Sequence, residues 1–282
     1  MYRQKSFEND RATLYLVPTP IGNLSEMTSR ALEVLHQVHY IAAEDTRNTV
    51  KLCNHFEISA KLISHHEHNL NVAIPKILSL LEEGEDVAIV SDAGYPAISD
   101  PGYEIVKEAI AKHYNVVPIS GCNAALDALV VSGIAPQPFL FYGFLAHDNK
   151  TKKKELEKLK HQMVTIIFYE APHRITKTLN LMLEILGDRQ MSLCRELTKR
   201  HEEIIRGRIS EILEIAGDLK GEMVLVVEGA KEETVEEVFE TTIKEHVQQF
   251  VDEGMSAKDA IKEVAKIRKI NKNKVYEEYH KG

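Results

Sequence analysis

The chain has no tryptophan, few aromatic residues and only three cysteines, and each shortage removes a class of explanation. Cys53, Cys122 and Cys194 are scattered without a CxxC pair. Neither a disulfide framework nor a zinc site is indicated, and a reducing, cytoplasmic setting fits. Two nucleotide signatures are also missing: no GxGxxG follows the first apolar run, and GxxxxGK[ST] occurs nowhere. The opening MYRQKSFENDR has no apolar stretch of the signal-peptide kind. From Val116 to Ala146 the only charge is Asp127. Gly133, Pro136 and Pro138 interrupt that run, which reads as helix, loop and strand in a buried core, not as a membrane span. Positive charge is short as well: 35 Lys and Arg stand against 43 Asp and Glu, a net charge of −8. That balance argues against a wholly basic nucleic-acid binder. It leaves RNA open, because local patches set phosphate contact.

What is present is ample apolar material, 44% of 282 residues, enough for more than one domain. Short β-branched runs alternate with stretches of helical period. ATLYLV (Ala12–Val17), VHYIAA (Val38–Ala43), KLIS (Lys61–Ser64), VAIV (Val87–Val90) and NVVPIS (Asn115–Ser120) read as five strands. Helices fall between them, one opened by Ser25 or Thr28 and another capped by Asn69. Such alternation predicts a parallel sheet covered on both faces. A second α/β unit begins near Gly121, with AALDALVVSGI as a helix closed by Gly133. FLFYGFL, VTIIFYEAP, MSLCREL and MVLVVEG follow as strands, and a helix opens at Pro172. Residues 230–240 turn acidic and poor in apolar content, which marks a linker. The tail is helical, with Ser256 as an N-cap. The expected organisation is α/β: an N-terminal domain over 12–120, a second over 121–230, and a small helical unit over 241–282.

The polar residues gather where these strands end. SDAGYPAISDPG (Ser91–Gly102) follows VAIV and holds two glycines, two prolines and two aspartates. The carboxyl end of a parallel strand is where ligands are gripped, by free backbone N–H groups and the next helix N-terminus. Asp100-Pro101 reads as an N-cap with a first-turn proline, and a tight well-capped turn without a ligand remains the alternative. PTPIGNL (Pro18–Leu24) is either a shaped ligand loop or a plain turn. In Glu44-Asp45-Thr46-Arg47, capping residues and an arginine held for phosphate are equally good readings. His65-His66-Glu67-His68 lacks ligand spacing and reads as a polar loop, so no metal is expected. FYEAPHR (Phe168–Arg174) and CRELTKRHEE (Cys194–Glu203) load two further strand ends with charge. Five such loops suggest a cleft between two α/β units. The lysines from Lys150 to Lys160 read best as a solvated helix face. The tail, with Lys258, Lys262, Lys266, Arg268, Lys269, Lys272 and Lys274, is a candidate phosphate-backbone contact.

Taken in order, VPTPIGNL, EDTR, SDAGYPAISDPG, SGI…FLFYGFL, FYEAPHR, RELTKRHEE and GEMVLVVEG closely resemble the ribosomal RNA small-subunit methyltransferase I family, of the tetrapyrrole-methylase fold class. The match runs from Leu14 to Gly229, about four-fifths of the chain, and the tail resembles that family's helix-turn-helix-like C-terminal domain more loosely. The resemblance implies transfer of a methyl group from S-adenosylmethionine to the 2′-hydroxyl of a cytidine in the decoding region of 16S rRNA. It implies a cofactor folded between the two α/β domains. Carried over by position, Gly94, Tyr95, Ile98 and Asp100 line it from the first domain, Asn123 and Ala124 from the interdomain segment, and Tyr169, Glu170, Leu197 and Met223 from the second. Departures from the family pattern are Ser120-Gly121-Cys122 in place of Pro-Gly-Pro or Pro-Gly-Ala, Tyr95 in place of a small residue, and Glu26 in place of Asp.

A ribose hydroxyl is a poor nucleophile at neutral pH and must lose its proton as it attacks. Glu170 or Asp100 is the expected proton acceptor. Arg47 and Arg174, with Lys199, Lys262, Lys266 and Lys269, are the expected RNA contacts. The expected partner is small-subunit rRNA within the 30S subunit; no membrane partner is expected, and a homodimer stays open. Two alternatives remain: methylation of a tetrapyrrole or another small molecule, and a ribosome-binding factor without catalysis.

Overall fold

The computed structural model describes residues 1–6, 8–231 and 241–281. Residues 232–240 of the expected acidic linker therefore lie outside the described residues. Met1–Ala230 form one compact unit holding two five-stranded sheets, and Lys231–Gly282 form a second unit.

The first sheet contains β1 (Thr13–Leu16), β2 (Tyr40–Ala43), β3 (Lys61–Ser64), β4 (Val87–Val90) and β5 (Asn115–Pro118), in the order β3-β2-β4-β1-β5. Every pairing is parallel, as the alternating pattern predicts. Helices α1 (Ser29–Gln37) and α2 (Thr46–His55) bury their apolar faces on one side of it, α3 (Leu70–Glu82) and α4 (Tyr103–Ala111) on the other. That division follows from right-handed crossovers: connections running toward β3 fall on one face and those running toward β5 on the opposite one. Adjacent strands β1 and β4 thus send their following helices to opposite faces. The gap between their carboxyl ends is a topological switch point, where open α/β sheets hold ligands.

One expected cap is settled between its alternatives and two differ. Of Ser25 and Thr28, it is Thr28 that caps α1, accepting from Ala31 N–H. Asn69 precedes α3 without capping it; its amide donates to Ser64 O at 2.9 Å and its Oδ1 accepts from His66 N at 2.9 Å. The side chain is spent holding the preceding loop. Asp100 does not cap α4, whose N-cap is Gly102 at φ 154°. A Cβ there would lie 2.8 Å from Ala97 Cβ, so only glycine lets the loop fold back before the helix starts.

The second half begins with α5 (Ala124–Ser132), capped by Asn123 and closed by Gly133 at φ 78°. Then come β6 (Phe139–Phe144), α6 (Asn149–Leu159), β7 (Thr165–Glu170), α7 (Ile175–Leu186), β8 (Gln190–Arg195), β9 (Glu203–Arg208), α8 (Ile209–Ile215) and β10 (Met223–Val227). Their order is β6-β7-β10-β8-β9; only β6–β7 is parallel. Helix α7 starts at Ile175, three residues after Pro172, because Pro172 to Arg174 are used in the turn. One sheet face packs on α6, α7 and α8; the other packs on α5.

In the second unit, α9 (Ile243–Asp252), α10 (Ala257–Ile267) and α11 (Lys272–His280) enclose a small core of Val247, Ala260, Ile261, Val264, Ala265 and Val275. Ser256 caps α10 by accepting from Asp259 N–H.

Candidate functional site

The loops after β1 and β4 are fastened to each other. Thr19 and Gly94 exchange both backbone hydrogen bonds, 3.0 Å from Thr19 N–H and 2.9 Å from Gly94 N–H. Thr19 Oγ1 donates to Ser91 O at 3.0 Å, and Ser91 Oγ donates to Gly94 O at 2.8 Å. Gly94 sits at φ 76°, which its missing side chain permits. The two prolines and the glycine of PTPIGNL, ambiguous in the sequence, thus shape a loop that closes over the switch point.

The same loop is tied to the second sheet. Ile21 packs into the apolar cluster of α5, Ile167, Leu197 and Val224. A Cβ on Gly22 would fall 2.4 Å from Lys199 Cγ, and one on Gly121 2.5 Å from Pro18 Cγ. Both glycines therefore mark close approach of chain segments. Tyr95 adds a further tie, since its hydroxyl oxygen accepts from Gly121 N at 3.1 Å. Asn123 spends its side-chain oxygen on Leu126 N–H, at 3.1 Å.

Carboxylates crowd this rim. Burial pushes the Asp100 carboxyl up to about 7, helped by the charge of Glu44, a hydrogen bond to it, and the charge of Asp92. Burial also raises the Tyr169 phenol, and the charges of Asp100 and Asp127 raise it further. Asp100 from the first sheet's edge and Tyr169 from the second sheet's β7 thus lie within electrostatic reach. Ala97 (φ 67°) in the loop before Asp100, and Glu196 (φ 51°) and Thr198 (φ 69°) on either side of Leu197, hold left-handed conformations uncommon for non-glycine residues. The Thr198 hydroxyl oxygen is buried without a hydrogen-bond partner. A buried hydroxyl of this kind needs a donor or acceptor that the described residues do not supply.

Other expected site residues are not brought to this place. Side chains alternate along β7, so Tyr169 faces α5 while Glu170 faces α6 and α7. Glu170 is 2% exposed. Its Oε2 accepts from Thr178 Oγ1 at 2.5 Å, its Oε1 lies 3.0 Å from Arg174 Nε, and Lys152 Nζ stands 3.7 Å away. A carboxylate enclosed in this way cannot reach a ribose hydroxyl, which corrects its expected role as proton acceptor. Arg174 is corrected with it: Nη2 donates to Leu145 O at 2.6 Å and Ala146 O at 3.1 Å, so the guanidinium binds chain, not phosphate. Met223, paired with Glu170 across the sheet, buries its side chain in the same far core, leaving only its backbone for a ligand. Ile98 is largely exposed. Arg47 is exposed and chelated by its neighbour Asp45, with Nη2 at 2.6 Å from Oδ2. Lys199 is held by Glu196 at 3.0 Å and Glu222 at 2.8 Å, which leaves it a spacer over Gly22 more than a phosphate contact. In the second unit Lys262 pairs with Asp259 at 2.9 Å, while Lys266 and Lys269 are exposed. Among the described residues, no group of three or more His, Cys, Asp or Glu side chains could hold a metal ion.

The residues the sequence did not single out are Asp92 and Asn48, joined by an Asn48 Nδ2–H bond to Asp92 Oδ2 at 2.9 Å. Their signal was positional: Asp92 is the second residue past β4, and Asn48 lies in the first turn of the helix after β2.

Comparison with known proteins agrees with the geometry. The family described as tetrapyrrole (corrin/porphyrin) methylases matches residues 13–213. The chain is 54% identical to ribosomal RNA small subunit methyltransferase I of Bacillus subtilis, covering 99% of this chain and 98% of that protein. It is 47% identical to the Halalkalibacterium halodurans protein of the same name, covering 99% of each, and 40% identical to the Synechocystis one, covering 94% and 96%. Among solved structures, the uroporphyrin-III C-methyltransferase of Thermus thermophilus aligns with a TM-score of 0.56 at 19% identity, over 77% of this chain and 94% of that one. Cobalt precorrin-4 methyltransferase aligns with a TM-score of 0.56 at 18% identity, over 76% and 94%. At such identities the structures establish the fold.

Two outcomes are expected from this arrangement. Glu170→Ala leaves Lys152 and Arg174 buried without their counter-charge and should cost about 3–5 kcal/mol of stability in denaturant unfolding; an unchanged unfolding curve would contradict the network. Asp100 keeps in the folded chain a proton that the unfolded chain releases near pH 4, so its contribution to stability declines as pH rises toward 7. Asp100→Asn should therefore gain in melting temperature relative to the parent between pH 5 and pH 8, and a gap constant over that range would refute the raised pKa.

Proposed function

Because the chain belongs to the tetrapyrrole (corrin/porphyrin) methylase family, and within it to the ribosomal RNA small subunit methyltransferase I group, we propose that it methylates small-subunit ribosomal RNA, using S-adenosylmethionine to modify the 2′-hydroxyl of a cytidine in the decoding region. The observation that carries this reading is the fastening of the loops after β1 and β4 at the switch point, with Asp100 beside them within electrostatic reach of Tyr169 from the second sheet. The residues present suit a cationic nucleoside cofactor. The carboxyl groups of Glu44, Asp92 and Asp100 supply negative potential, and the unpartnered Thr198 Oγ1 awaits a hydrogen bond. Gly94, Tyr95 and Asp100 would hold it from the 12–120 lobe, with Asn123, Ala124, Tyr169 and Leu197 from the segment and lobe of 121–230. When bound, S-adenosylmethionine supplies an electrophilic methyl group on a positively charged sulfur.

The chain's own work is alignment and proton management. Fastened loops present a fixed wall against which a ribose can be oriented, and orientation is a large share of the barrier in a displacement reaction. Asp100 is the proposed acceptor of the hydroxyl proton, because a carboxyl pushed up to about 7 is matched to the pH at which the reaction runs. Lys262 and Lys266 on α10 and Lys269 in the turn after it are the proposed phosphate contacts, with Arg47 at the start of α2. The setting is the cytoplasm and the substrate the 30S subunit. Among the described residues, no helix is long and apolar enough to cross a membrane. A second copy of the chain is the proposed cover for the outer face of α5, where Leu126, Val130 and Val131 are exposed. Equilibrium sedimentation at micromolar concentration should return a dimer mass, and a monomer mass would remove that element.

The decisive measurement is mass-spectrometric mapping of small-subunit RNA after incubation of 30S subunits with purified protein and labelled cofactor. One 2′-O-methylcytidine is expected; no incorporation into either subunits or naked 16S rRNA would overturn the reading. Asp100→Asn should lower the single-turnover rate by about 10²–10⁴-fold. Replacing Lys262, Lys266 and Lys269 together by Ala should weaken subunit binding and flatten its salt dependence by roughly 2–3 in the log–log slope.

A further inference from the structure

On the α2 side of the fastened loops lies a pocket of about 220 Å³, below the roughly 300–1,000 Å³ of drug-sized ligand sites. It has room for one flat ring. Buried Thr19, Thr49 and Ser91 line its inner part, and the hydroxyls of Thr19 and Ser91 are spent on loop carbonyls. Pro20, Leu24 and Leu52 give it apolar sides, with Leu24 41% exposed and so without a partner for much of its surface. The polar groups left to a ligand are at the mouth. Asn48 donates to Asp92 Oδ2 at 2.9 Å, and its Oδ1 accepts from Lys51 Nζ at 3.5 Å. Asp92 is thereby held in one orientation, and among the described residues no donor reaches its other carboxylate oxygen. An apolar slot with a fixed, unused acceptor at its edge asks for a planar ring bearing an amino donor. Lys51, exposed at the rim, is placed for the phosphate that such a ring would carry if it came from a polynucleotide.

We infer that this pocket receives the target base, and that Asp92, oriented by Asn48, selects cytosine by accepting from its exocyclic amino group. Carboxylates read the cytosine N4 amino group because it is a donor. Uracil presents a carbonyl oxygen at the same place, and two acceptors facing each other repel. The inference rests on the proposed rRNA reading, and adds to it the residues that choose the nucleotide.

The test is a ratio. Reconstituted 30S subunits carrying either cytidine or uridine at the mapped position are methylated by full-length protein at saturating cofactor, and initial rates are compared. The parent protein should favour cytidine by about tenfold or more, the range of one good base contact. Asp92→Asn, whose amide can donate to a carbonyl, should bring the ratio within about threefold, with its melting temperature checked against the parent. Should that variant be inactive on both RNAs, Asn48→Ala, which removes the donor orienting Asp92, is read in the same way and should also narrow the ratio. A cytidine preference unchanged in an active variant overturns the inference while leaving the rRNA reading intact. A parent protein that methylates neither RNA overturns the rRNA reading, and the inference falls with it.

Discussion

The pair of backbone hydrogen bonds between Thr19 and Gly94 ties together the two loops that bound the switch point of the first sheet. Each loop on its own is a strand-end turn with many accessible conformations. Bonded to each other and to Ser91, they become one wall, and the further contacts depend on that wall standing. Ile21 reaches the α5 cluster only from the bonded loop. Gly22 and Gly121 are glycines because Lys199 and Pro18 pass so near them. A parallel sheet supplies this arrangement through its crossovers: β1 and β4 are neighbours whose helices leave on opposite faces, so nothing but loop fills the gap between their ends.

The second sheet contributes by alternation. Its β7 ends in Tyr169-Glu170, and one residue's difference puts the first on the α5 side and the second in the core under α6 and α7. Tyr169 there feels Asp100 across the gap. Glu170 instead gathers Lys152, Thr178 and Arg174 into a buried cluster, and Arg174 in turn holds the carbonyls of Leu145 and Ala146. The charged string FYEAPHR is therefore divided between two jobs. Tyr169 lies on the α5 side, and Glu170 and Arg174 fasten the loop after β6 to the turn after β7.

This explains what could and could not be read from the sequence. Strand positions, the parallel order implied by alternation, and the importance of PTPIGNL and SDAGYPAISDPG were legible, because apolar runs and glycine–proline clusters are local signals. Caps were less so. Asp100 carries the right residue type for capping α4, but the tertiary demand of Glu44 and the fold-back at Gly102 take precedence. Glu170 and Arg174 looked functional because they are charged and end a strand. Which face a strand-end side chain takes is set by the register of the whole sheet, which no local pattern reports. Asn48 and Asp92 are 44 residues apart, and their pairing exists only once β2 and β4 lie side by side.

An acidic protein that handles RNA must keep its negative charge from repelling the backbone it approaches. In the first unit the carboxyl groups of Glu44, Asp92 and Asp100 sit together at the strand ends, while Lys51 and Arg47 stand outward along α2. A phosphate is repelled from the centre of such an arrangement and held at its edge, over distances of about one Debye length, ~8–10 Å. A base or a ribose carries no charge and meets no such penalty. The charge layout alone therefore favours an uncharged part of an RNA at the centre, with its phosphates left outside. The same carboxyl groups draw a cation inward. Attraction for a cation and exclusion of phosphates come from one set of side chains.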